Sequence, residues 1–374
     1  MPTTIWLQRL RLATGLVLMA FVLGHLFNIA LGLVSLDAVE AWHPALIGPW
    51  QTKPGKLLLG LSTLVHAVLG LVSIAKRRTL AMTATDAVQM LLALAVPPLL
   101  VAHVLVMGVA AELVADFDTS YGFILAVYWS YAPHYAIVQL CAVLSVWTHA
   151  AIGLYSYLVL RPVWSRIGGL VTPLLFAVPI LALLGFVEAG KQTLAQLAAN
   201  AAFRQSVEAN WHRAGGVAAQ LAEIQHRFLE IYGAFAALAI AILLARIMAN
   251  RRKPLVVSYD GGDTALARRG LSILEFSRLA HIPHASVCSG RGRCGTCRVE
   301  VTAGAAQLSP QTGIERQTLA AVRAPPGARL ACQARVMGPG VAVIRILPPF
   351  ADASAARAPQ EWTPDAPAAP ELPA

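Results

Sequence analysis

The feature that most restricts the fold of this chain is a set of long runs without Asp, Glu, Lys or Arg. A helix that crosses a bilayer needs about 20 mostly apolar residues, and four runs meet that length: 12–36, 57–75, 87–111 and 167–187. A fifth run, 119–160, is too long for one helix, and Pro133 predicts a span near 134–160. The shortest run, 231–245, is followed by Arg246, whose side chain can reach the headgroups. The sequence therefore predicts six membrane spans.

The composition agrees with a membrane protein. Of the 374 residues, 57% are hydrophobic and only 13% are charged, whereas an average soluble domain has about 25% charged residues. These values exclude an ordinary cytosolic enzyme and a disordered or fibrous chain. The net charge is +10, but the basic residues follow the ends of the spans rather than one face. We therefore expect membrane lipid as a partner and no nucleic acid.

The distribution of Lys and Arg around the spans predicts the orientation. One side of the predicted membrane domain has eleven basic residues and the other has six, and the richer side is expected to face the cytoplasm. Both termini are then cytoplasmic, in a multi-pass protein of a bacterial inner membrane. The first apolar run is too long for the core of a cleaved signal peptide. The eleven residues are Arg9, Arg11, Lys76, Arg77, Arg78, Arg161, Arg166, Arg246, Arg251, Arg252 and Lys253.

Composition divides the chain into three parts. Residues 1–250 form the membrane domain, in which the charged segment 188–230 is predicted to be an external interfacial helix or cap. Residues 251–350 form a soluble domain with short alternating strands, a helix around 271–280 and a final strand near 341–347. Residues 351–374 are rich in Ala and Pro and are predicted to be disordered.

Four of the five cysteines follow residue 287 and give the strongest chemical signal. Cys288, Cys294 and Cys297 share one Gly-rich loop, and Cys332 follows 35 residues later. This C-x5-C-x2-C…C pattern is close to the plant-type spacing of four thiolates around a [2Fe–2S] cluster. The alternative is a structural zinc site, but zinc ligands usually come in closely spaced pairs, so the cluster is favoured. The fifth cysteine, Cys141, lies in an apolar span and is interpreted as a small core residue.

Four histidines lie well inside the first four spans, one in each: His25, His66, His103 and His149. An ionisable side chain inside a membrane is costly and usually has a functional role. One such histidine is more often a hydrogen-bonded packing residue, whereas four in successive helices suggest two haems with two imidazole ligands each. Depth along the helices pairs His25 with His103 and His66 with His149, in layers about 7 Å apart. The second pair would be nearer the soluble domain.

Both parts of the chain resemble known kinds of protein. Residues 255–348 resemble a [2Fe–2S] ferredoxin of adrenodoxin-like spacing, which implies a β-grasp fold and one-electron transfer. The apolar part resembles the six-helix di-haem anchor of some bacterial class III adenylate cyclases, itself similar to the cytochrome b subunits of succinate dehydrogenase. The motifs that carry this second resemblance are Gly24-His25-Leu26, Trp147-Thr148-His149-Ala150 and Leu184-Gly185-Phe186-Val187-Glu188.

The resemblances imply a membrane all-α six-helix bundle followed by an α+β β-grasp ferredoxin domain. They imply two b-type haems, a quinone as an exchangeable ligand and a cytoplasmic cluster. Only about 25 residues follow the last ferredoxin strand, too few for a cyclase domain, and no dinucleotide fingerprint is present. The favoured function is electron transfer with an unidentified cytoplasmic redox or effector protein. The alternative is a redox sensor that controls a separately encoded effector such as a cyclase, and a third is a tethered ferredoxin without haem.

Overall fold

A computed structural model describes residues 3–249 and 254–351 of the chain. The first range is helical and the second contains a mixed β-sheet. The basic linker 250–253 and the predicted disordered segment beyond residue 351 lie outside the described residues.

All six predicted spans are helices, and each is long and apolar enough to cross a membrane. Shorter helices connect them on one side of the bundle. The helices of this part are α1 (Thr3–Ala30), α2 (Leu36–Leu46), α3 (Gly48–Gln51), α4 (Lys53–Ala75), α5 (Ala84–Val104), α6 (Ala111–Leu113), α7 (Tyr121–Ala126), α8 (Pro133–Leu158), α9 (Trp164–Ala199), α10 (Ala201–Gly215) and α11 (Ala218–Ala249).

Several of these helices begin where the sequence offers a cap. Thr83 accepts a hydrogen bond from the backbone N–H of Asp86 and so starts α5. Pro133 is the first residue of α8, a position where its missing N–H has no consequence. Asn200 caps α10 in the same way as Thr83 caps α5. Helices α4, α5, α8 and α9 begin within four residues of the predicted spans, whereas α1 and α11 begin nine and thirteen residues before theirs.

The segment 188–230, predicted to be an external interfacial helix or cap, contains parts of three helices. Helix α9 continues without a break to Ala199, and α11 already begins at Ala218, so only α10 is a separate element. The charges that end an apolar run do not end a helix, because Glu, Lys, Arg and Gln are good helix formers. Helix α10 buries Val207, which lies with Phe123 in one apolar cluster at the outer end of the bundle.

The connection between α5 and α8 contains two π-helical stretches, Leu105–Ala110 and Val127–Tyr131. A π-helix is rare and is often found at functional sites, because its extra residue redirects the side chains that follow. Here the two stretches flank α7 and return the chain to the bundle. This connection, residues 105–131, is called the outer segment below.

The bundle is held by close helix crossings. Helix α1 packs against α4 and α9, and α5 packs against α8. A Cβ atom added to Gly185 of α9 would lie 2.3 Å from the carbonyl oxygen of Ile29, so only glycine permits this crossing. The interpretation of Cys141 as a core residue is wrong, because its side chain is on the exposed surface of α8.

The second part is a five-stranded mixed sheet with the order β2-β1-β5-β3-β4. Strands β1 and β2 form an antiparallel hairpin, and β1 is parallel to β5. Three predicted strands and the predicted helix are present, whereas β2, β4 and α13 were not anticipated. The elements are β1 (Leu255–Tyr259), β2 (Thr264–Ala267), α12 (Ile273–Leu279), β3 (Arg298–Ala303), α13 (Gly313–Ala321), β4 (Arg329–Leu330) and β5 (Val341–Arg345).

The core of this domain lies between the sheet and α12. Its central members, Val257, Phe276, Val299 and Leu330, have no exposed surface. Ser272 and Glu275 form a capping box that fixes the start of α12. The cysteine-bearing loop leaves this core and faces the helical part, which places the predicted cluster between the two parts.

Candidate redox centres

The loop from Cys288 to Cys297, called the cluster loop, has an irregular backbone. Gly290, Gly292 and Gly295 have φ angles of 91°, 72° and 67°, a region that glycine adopts without strain. A Cβ atom on Gly295 would also lie 2.6 Å from a methyl group of Val322. The glycines noted in the sequence are therefore required by the course of the loop.

The four cysteines are buried and form two pairs. The Sγ atoms of Cys294 and Cys288 are 3.2 Å apart, and the thiol of Cys297 lies near that of Cys332, whose pKa it raises. Backbone N–H groups of Cys288 and Arg293 point at sulfur atoms of the first pair, at 3.4 and 3.5 Å. The hydrogen bond from Cys294 lowers the pKa of Cys288 and raises that of Cys294 itself, so Cys288 is the member of this pair that more readily forms the thiolate that binds metals.

This pairing separates the two alternatives for the site. A single zinc ion requires four ligands that converge on one point. Among the described residues, no group of three or more His, Cys, Asp or Glu side chains converges in this way. Two pairs of sulfurs instead suit two irons, each with two thiolates, so the residues fit a [2Fe–2S] cluster.

Buried polar contacts hold the loop in place. Thr318 donates a hydrogen bond of 2.6 Å to the carbonyl oxygen of Gly292, and Gln333 donates to the carbonyl of Gly290. Glu315 has no exposed surface, and it accepts hydrogen bonds from Arg329 and from the backbone N–H of Leu330. These contacts join α13 and β4 to the loop, and no local motif in the sequence indicated them.

A second polar chain supports the loop from the other side. Ser277 donates to the hydroxyl of Tyr259 at 2.9 Å and lies 3.0 Å from Nδ1 of His284. Burial raises the pKa of Tyr259 to about 12 and lowers the pKa of His284 to about 4. Both side chains are therefore neutral at physiological pH.

The structure brings the four histidines of the predicted spans together as two pairs. The outer pair is His25 and His103, whose ring centroids are 6.0 Å apart. The inner pair is His66 and His149, at 6.2 Å. These are the pairs expected from helix depth. All four rings are half-buried, so each retains accessible surface within the bundle.

In both pairs, the Nδ1 atoms have partners within the protein. In the inner pair, Nδ1 of His66 donates to the carbonyl oxygen of Arg11 at 3.2 Å, and Nδ1 of His149 donates to that of Gln89 at 3.1 Å. A carbonyl oxygen only accepts, so each inner imidazole has its proton on Nδ1 and its lone pair on Nε2. Thr14 lies 3.4 Å from the same nitrogen of His66.

The outer pair uses tyrosine hydroxyls instead. Tyr121 lies 3.5 Å from Nδ1 of His25, and Tyr128 lies 3.4 Å from Nδ1 of His103. Both tyrosines belong to the outer segment. Burial raises the pKa of each phenol to about 12, so both remain protonated at physiological pH.

The histidine geometry fits a six-coordinate haem. When two imidazoles bind one metal ion from opposite sides, the distance between their ring centroids is the sum of two metal–nitrogen bonds of about 2 Å and half the width of each ring. That sum is about 6 Å. A ligating histidine usually donates its other ring N–H to a neighbouring acceptor, which fixes the tautomer. Glycine also makes room at the inner pair, because a Cβ atom on Gly15 would lie 3.0 Å from the His66 ring.

The cluster loop contacts the helical part next to the inner pair. Leu160, at the end of α8, is buried in one apolar cluster with Cys288 and Cys294. Nη2 of Arg291 lies 3.3 Å from Oδ1 of Asp86 and 3.1 Å from Oε1 of Gln89. The residue that orients His149 is therefore also in contact with the loop that carries the cysteines.

Other polar residues at the ends of the spans do not form one site. Asp118 pairs through its backbone with the side chain of Asn210, and His134 contacts Tyr135 with a centroid distance of 4.3 Å and an angle of 39° between the rings. The site residues that sequence reasoning did not single out are Asp86, Gln89, Tyr121 and Tyr128. Asp86 and Gln89 could have been noticed, because they lie at the start of a span that follows basic residues. No sequence signal indicated Tyr121 or Tyr128.

Comparison with known proteins agrees with the prediction for the C-terminal part. Residues 259–337 match the 2Fe-2S iron-sulfur cluster binding domain family, and this range contains all four paired cysteines. The match covers less than half of the chain. The chain thus has a helical N-terminal part and a C-terminal domain of the [2Fe–2S] ferredoxin type.

Individual relatives are similar over short lengths only. A photosynthetic NDH subunit of subcomplex B 3 from Arabidopsis thaliana is 46% identical over 66 residues, 17% of this chain and 31% of that protein. Chlorosome protein I from Chlorobaculum tepidum is 36% identical over 77 residues, 21% of this chain and 32% of that protein. The matches thus span about a third of each curated relative. An ISC-like [2Fe-2S] ferredoxin structure from Pseudomonas putida has 26% identity and a TM-score of 0.23, covering 26% of this chain and 94% of that one.

Proposed function

We propose that this chain transfers electrons in a membrane between the quinone pool, two b-type haems and a cytoplasmic [2Fe–2S] cluster. The observation that carries the proposal is the hydrogen-bonded connection between the cluster loop and the inner histidine pair. Arg291 donates a hydrogen bond to the side chain of Gln89. The backbone carbonyl oxygen of the same Gln89 accepts a hydrogen bond from His149. A ferredoxin that is only tethered to a membrane, without haem, does not require this contact.

The residues assign distinct tasks to the two parts. His25, His103, His66 and His149 would supply the axial ligands of two haems, and Cys288, Cys294, Cys297 and Cys332 would bind the cluster. Haem and cluster each accept or release one electron, so the two electrons of one quinol would be passed on singly. The partners of the Nδ1 atoms would orient the imidazole rings. Burial of the cysteines would exclude water from the cluster.

The remaining partners follow from this role. A soluble redox or effector protein would exchange electrons with the cluster, and the Arabidopsis relative is named as a subunit of a photosynthetic NDH assembly. The alternative, a redox sensor for a separate effector, shares the same centres. It would be recognised by an effector activity that changes with the quinone redox state.

The direct test is reduction of the purified, haem-loaded protein by a soluble quinol. We expect about two haems and one cluster per chain, with the cluster reduced by quinol and detected by EPR. In Cys294→Ser the cluster signal should be lost while quinol still reduces the haems, and in His149→Ala the cluster should assemble but no longer be reduced by quinol.

The fifth cysteine supplies a matched control. Cys141 lies on the exposed surface of α8, so Cys141→Ser should leave both haem spectra and the cluster signal unchanged. A protein without haem after loading would remove the haem part of the proposal. Equal rates of cluster reduction in His149→Ala and in the unmodified chain would show that the inner pair is not on the electron path.

The proposed topology has its own test. The eleven-to-six bias of basic residues places both termini in the cytoplasm of a bacterial cell. A reporter fused after residue 350 should therefore be active only in the cytoplasm. Periplasmic activity of that fusion would reverse the orientation and would exclude a cytoplasmic partner.

A further inference from the structure

The contact between the two parts is centred on one side chain of the cluster loop. Arg291 lies between Cys288 and Cys294, and its Nη2 atom donates to both Asp86 and Gln89 at the start of α5. Arg291 retains 29% side-chain exposure, whereas Asp86 retains 9%. The arginine therefore reaches from a partly open loop to a buried carboxylate on the helical part.

A buried carboxylate is unfavourable unless it is paired. Thr83 donates to Oδ2 of Asp86 at 2.8 Å, which leaves Oδ1 for Arg291. Removing Arg291 from this position would remove the guanidinium that faces Oδ1 and would leave Arg77 as a nearby cation. The pairing therefore favours the docked position of the cluster loop.

Gln89 makes the contact relevant to the inner histidines. Its carbonyl oxygen accepts the Nδ1 proton of His149 at 3.1 Å, while its side-chain oxygen accepts from Arg291 at 3.1 Å. Gly153 leaves room for this side chain, because a Cβ atom there would lie 3.3 Å from Nε2 of Gln89. One residue thus connects the cluster loop to the ring of His149.

We propose that Arg291 is a positioning residue that fixes the cluster loop against Gln89, and through it against His149, so that electron exchange between the inner pair and the cluster occurs within one chain. The inference rests on the proposed function and names the residue on which its central step depends. The step moves one electron between the two centres and transfers no atom or proton. Burial of Leu160 against Cys288 and Cys294 closes the same face of the loop.

The test compares Arg291→Gln with the unmodified full-length protein. Loss of the guanidinium should leave haem content, quinol reduction of the haems and the amount of cluster unchanged. Reduction of the cluster by quinol should slow by about 10-fold or more, because the two centres are then no longer held in a fixed relative position. Hydrogen exchange of the backbone amides in residues 288–293 should become faster, because the loop is no longer docked.

Two further variants make the result specific. Arg316→Gln makes the same change on the exposed side of α13, where Arg316 donates to the carbonyl of Gln311, and it should leave both readouts unchanged. Arg291→Lys keeps the charge but cannot reproduce the contacts of a guanidinium, so its cluster reduction should lie between the unmodified protein and Arg291→Gln.

The outcomes separate this inference from the proposed function. Unchanged exchange at 288–293 in Arg291→Gln would overturn the docking role, whether or not haem is bound. Faster exchange with an unchanged rate of cluster reduction would overturn the positioning role while leaving the proposed electron path intact. Failure of quinol to reduce the haems of the unmodified protein would contradict the proposed function, and the exchange measurement would still decide the contact of Arg291.

Discussion

The outer and inner histidine pairs have nearly the same ring separation but are held by different kinds of group. The inner pair, His66 and His149, donates to backbone carbonyl oxygens of α1 and α5. The outer pair, His25 and His103, contacts hydroxyls of Tyr121 and Tyr128. Helix backbone therefore orients the inner pair, and side chains of the outer segment orient the outer pair.

This difference determines at which histidine pair the orienting contact can be removed by substituting a neighbouring residue. A backbone carbonyl is present whatever residue carries it, so the inner orientation persists as long as α1 and α5 keep their positions. The tyrosines can be replaced one at a time without changing a helix. The outer pair should consequently be the more adjustable centre, and the inner pair should depend mainly on its two histidines.

The largest expected effect comes from removing the histidines themselves. His66→Ala and His149→Ala should each reduce haem from about two to about one per chain and should remove the same haem, because either change takes one of two axial ligands. His25→Ala and His103→Ala should each remove the other haem. A pyridine haemochrome assay combined with a redox titration of each variant measures the content and identifies the haem that is lost.

A histidine outside the pairs is the control for these variants. His134 contacts Tyr135 at the start of α8, so His134→Ala should retain both haems. Should His149→Ala and His25→Ala remove the same haem, the grouping into an outer and an inner pair would be wrong. Four variants that all retain two haems would contradict ligation by these residues.

Much of this arrangement could be predicted from the sequence because it depends on regular geometry. A helix rises by about 1.5 Å per residue, so counting from the charged ends gave the depth of each histidine and hence the pairs. The spacing of the cysteines likewise predicted that the soluble domain is of the [2Fe–2S] type, because four thiolates at this spacing are typical of such a cluster. The continuation of α9 to Ala199 was missed because a charged residue marks the end of an apolar run, not the end of a helix.

The partners of these residues could not be predicted, since they come from distant parts of the chain. Tyr121 is 96 residues from His25, and Arg291 is 205 residues from Asp86. The contacts of the backbone carbonyl oxygens of Arg11 and Gln89 cannot be predicted from the sequence, because every residue has such an oxygen. Cys141 illustrates a related limit, since an apolar span has no polar face that would show which side meets lipid.

An intermediate effect is expected from the tyrosines. Tyr121→Phe and Tyr128→Phe each remove a hydroxyl next to Nδ1 of an outer histidine, and loss of such a partner typically lowers metal affinity about 10- to 100-fold. Haem titration of the apoprotein should show weaker binding at the outer pair and unchanged binding at the inner pair. If haem affinity fell equally at both pairs, the phenylalanines would be disturbing the bundle as a whole. If haem affinity did not fall at either pair, the tyrosines would not be orienting the outer histidines.

The smallest effect should come from Thr14, whose side-chain hydroxyl lies near the inner pair. Its Oγ1 atom is 3.4 Å from Nδ1 of His66, but the carbonyl of Arg11 is closer, at 3.2 Å, and Thr14 donates its own proton to the carbonyl of Leu10. Thr14→Val keeps the shape and removes the hydroxyl, so the affinity of the inner pair for haem should change by no more than about threefold. Thr14→Ser retains the hydroxyl and serves as the matched variant in the same titration. A loss in Thr14→Val as large as that in Tyr128→Phe, restored in Thr14→Ser, would show that a side chain orients the inner pair too, and the contrast between the two pairs would disappear.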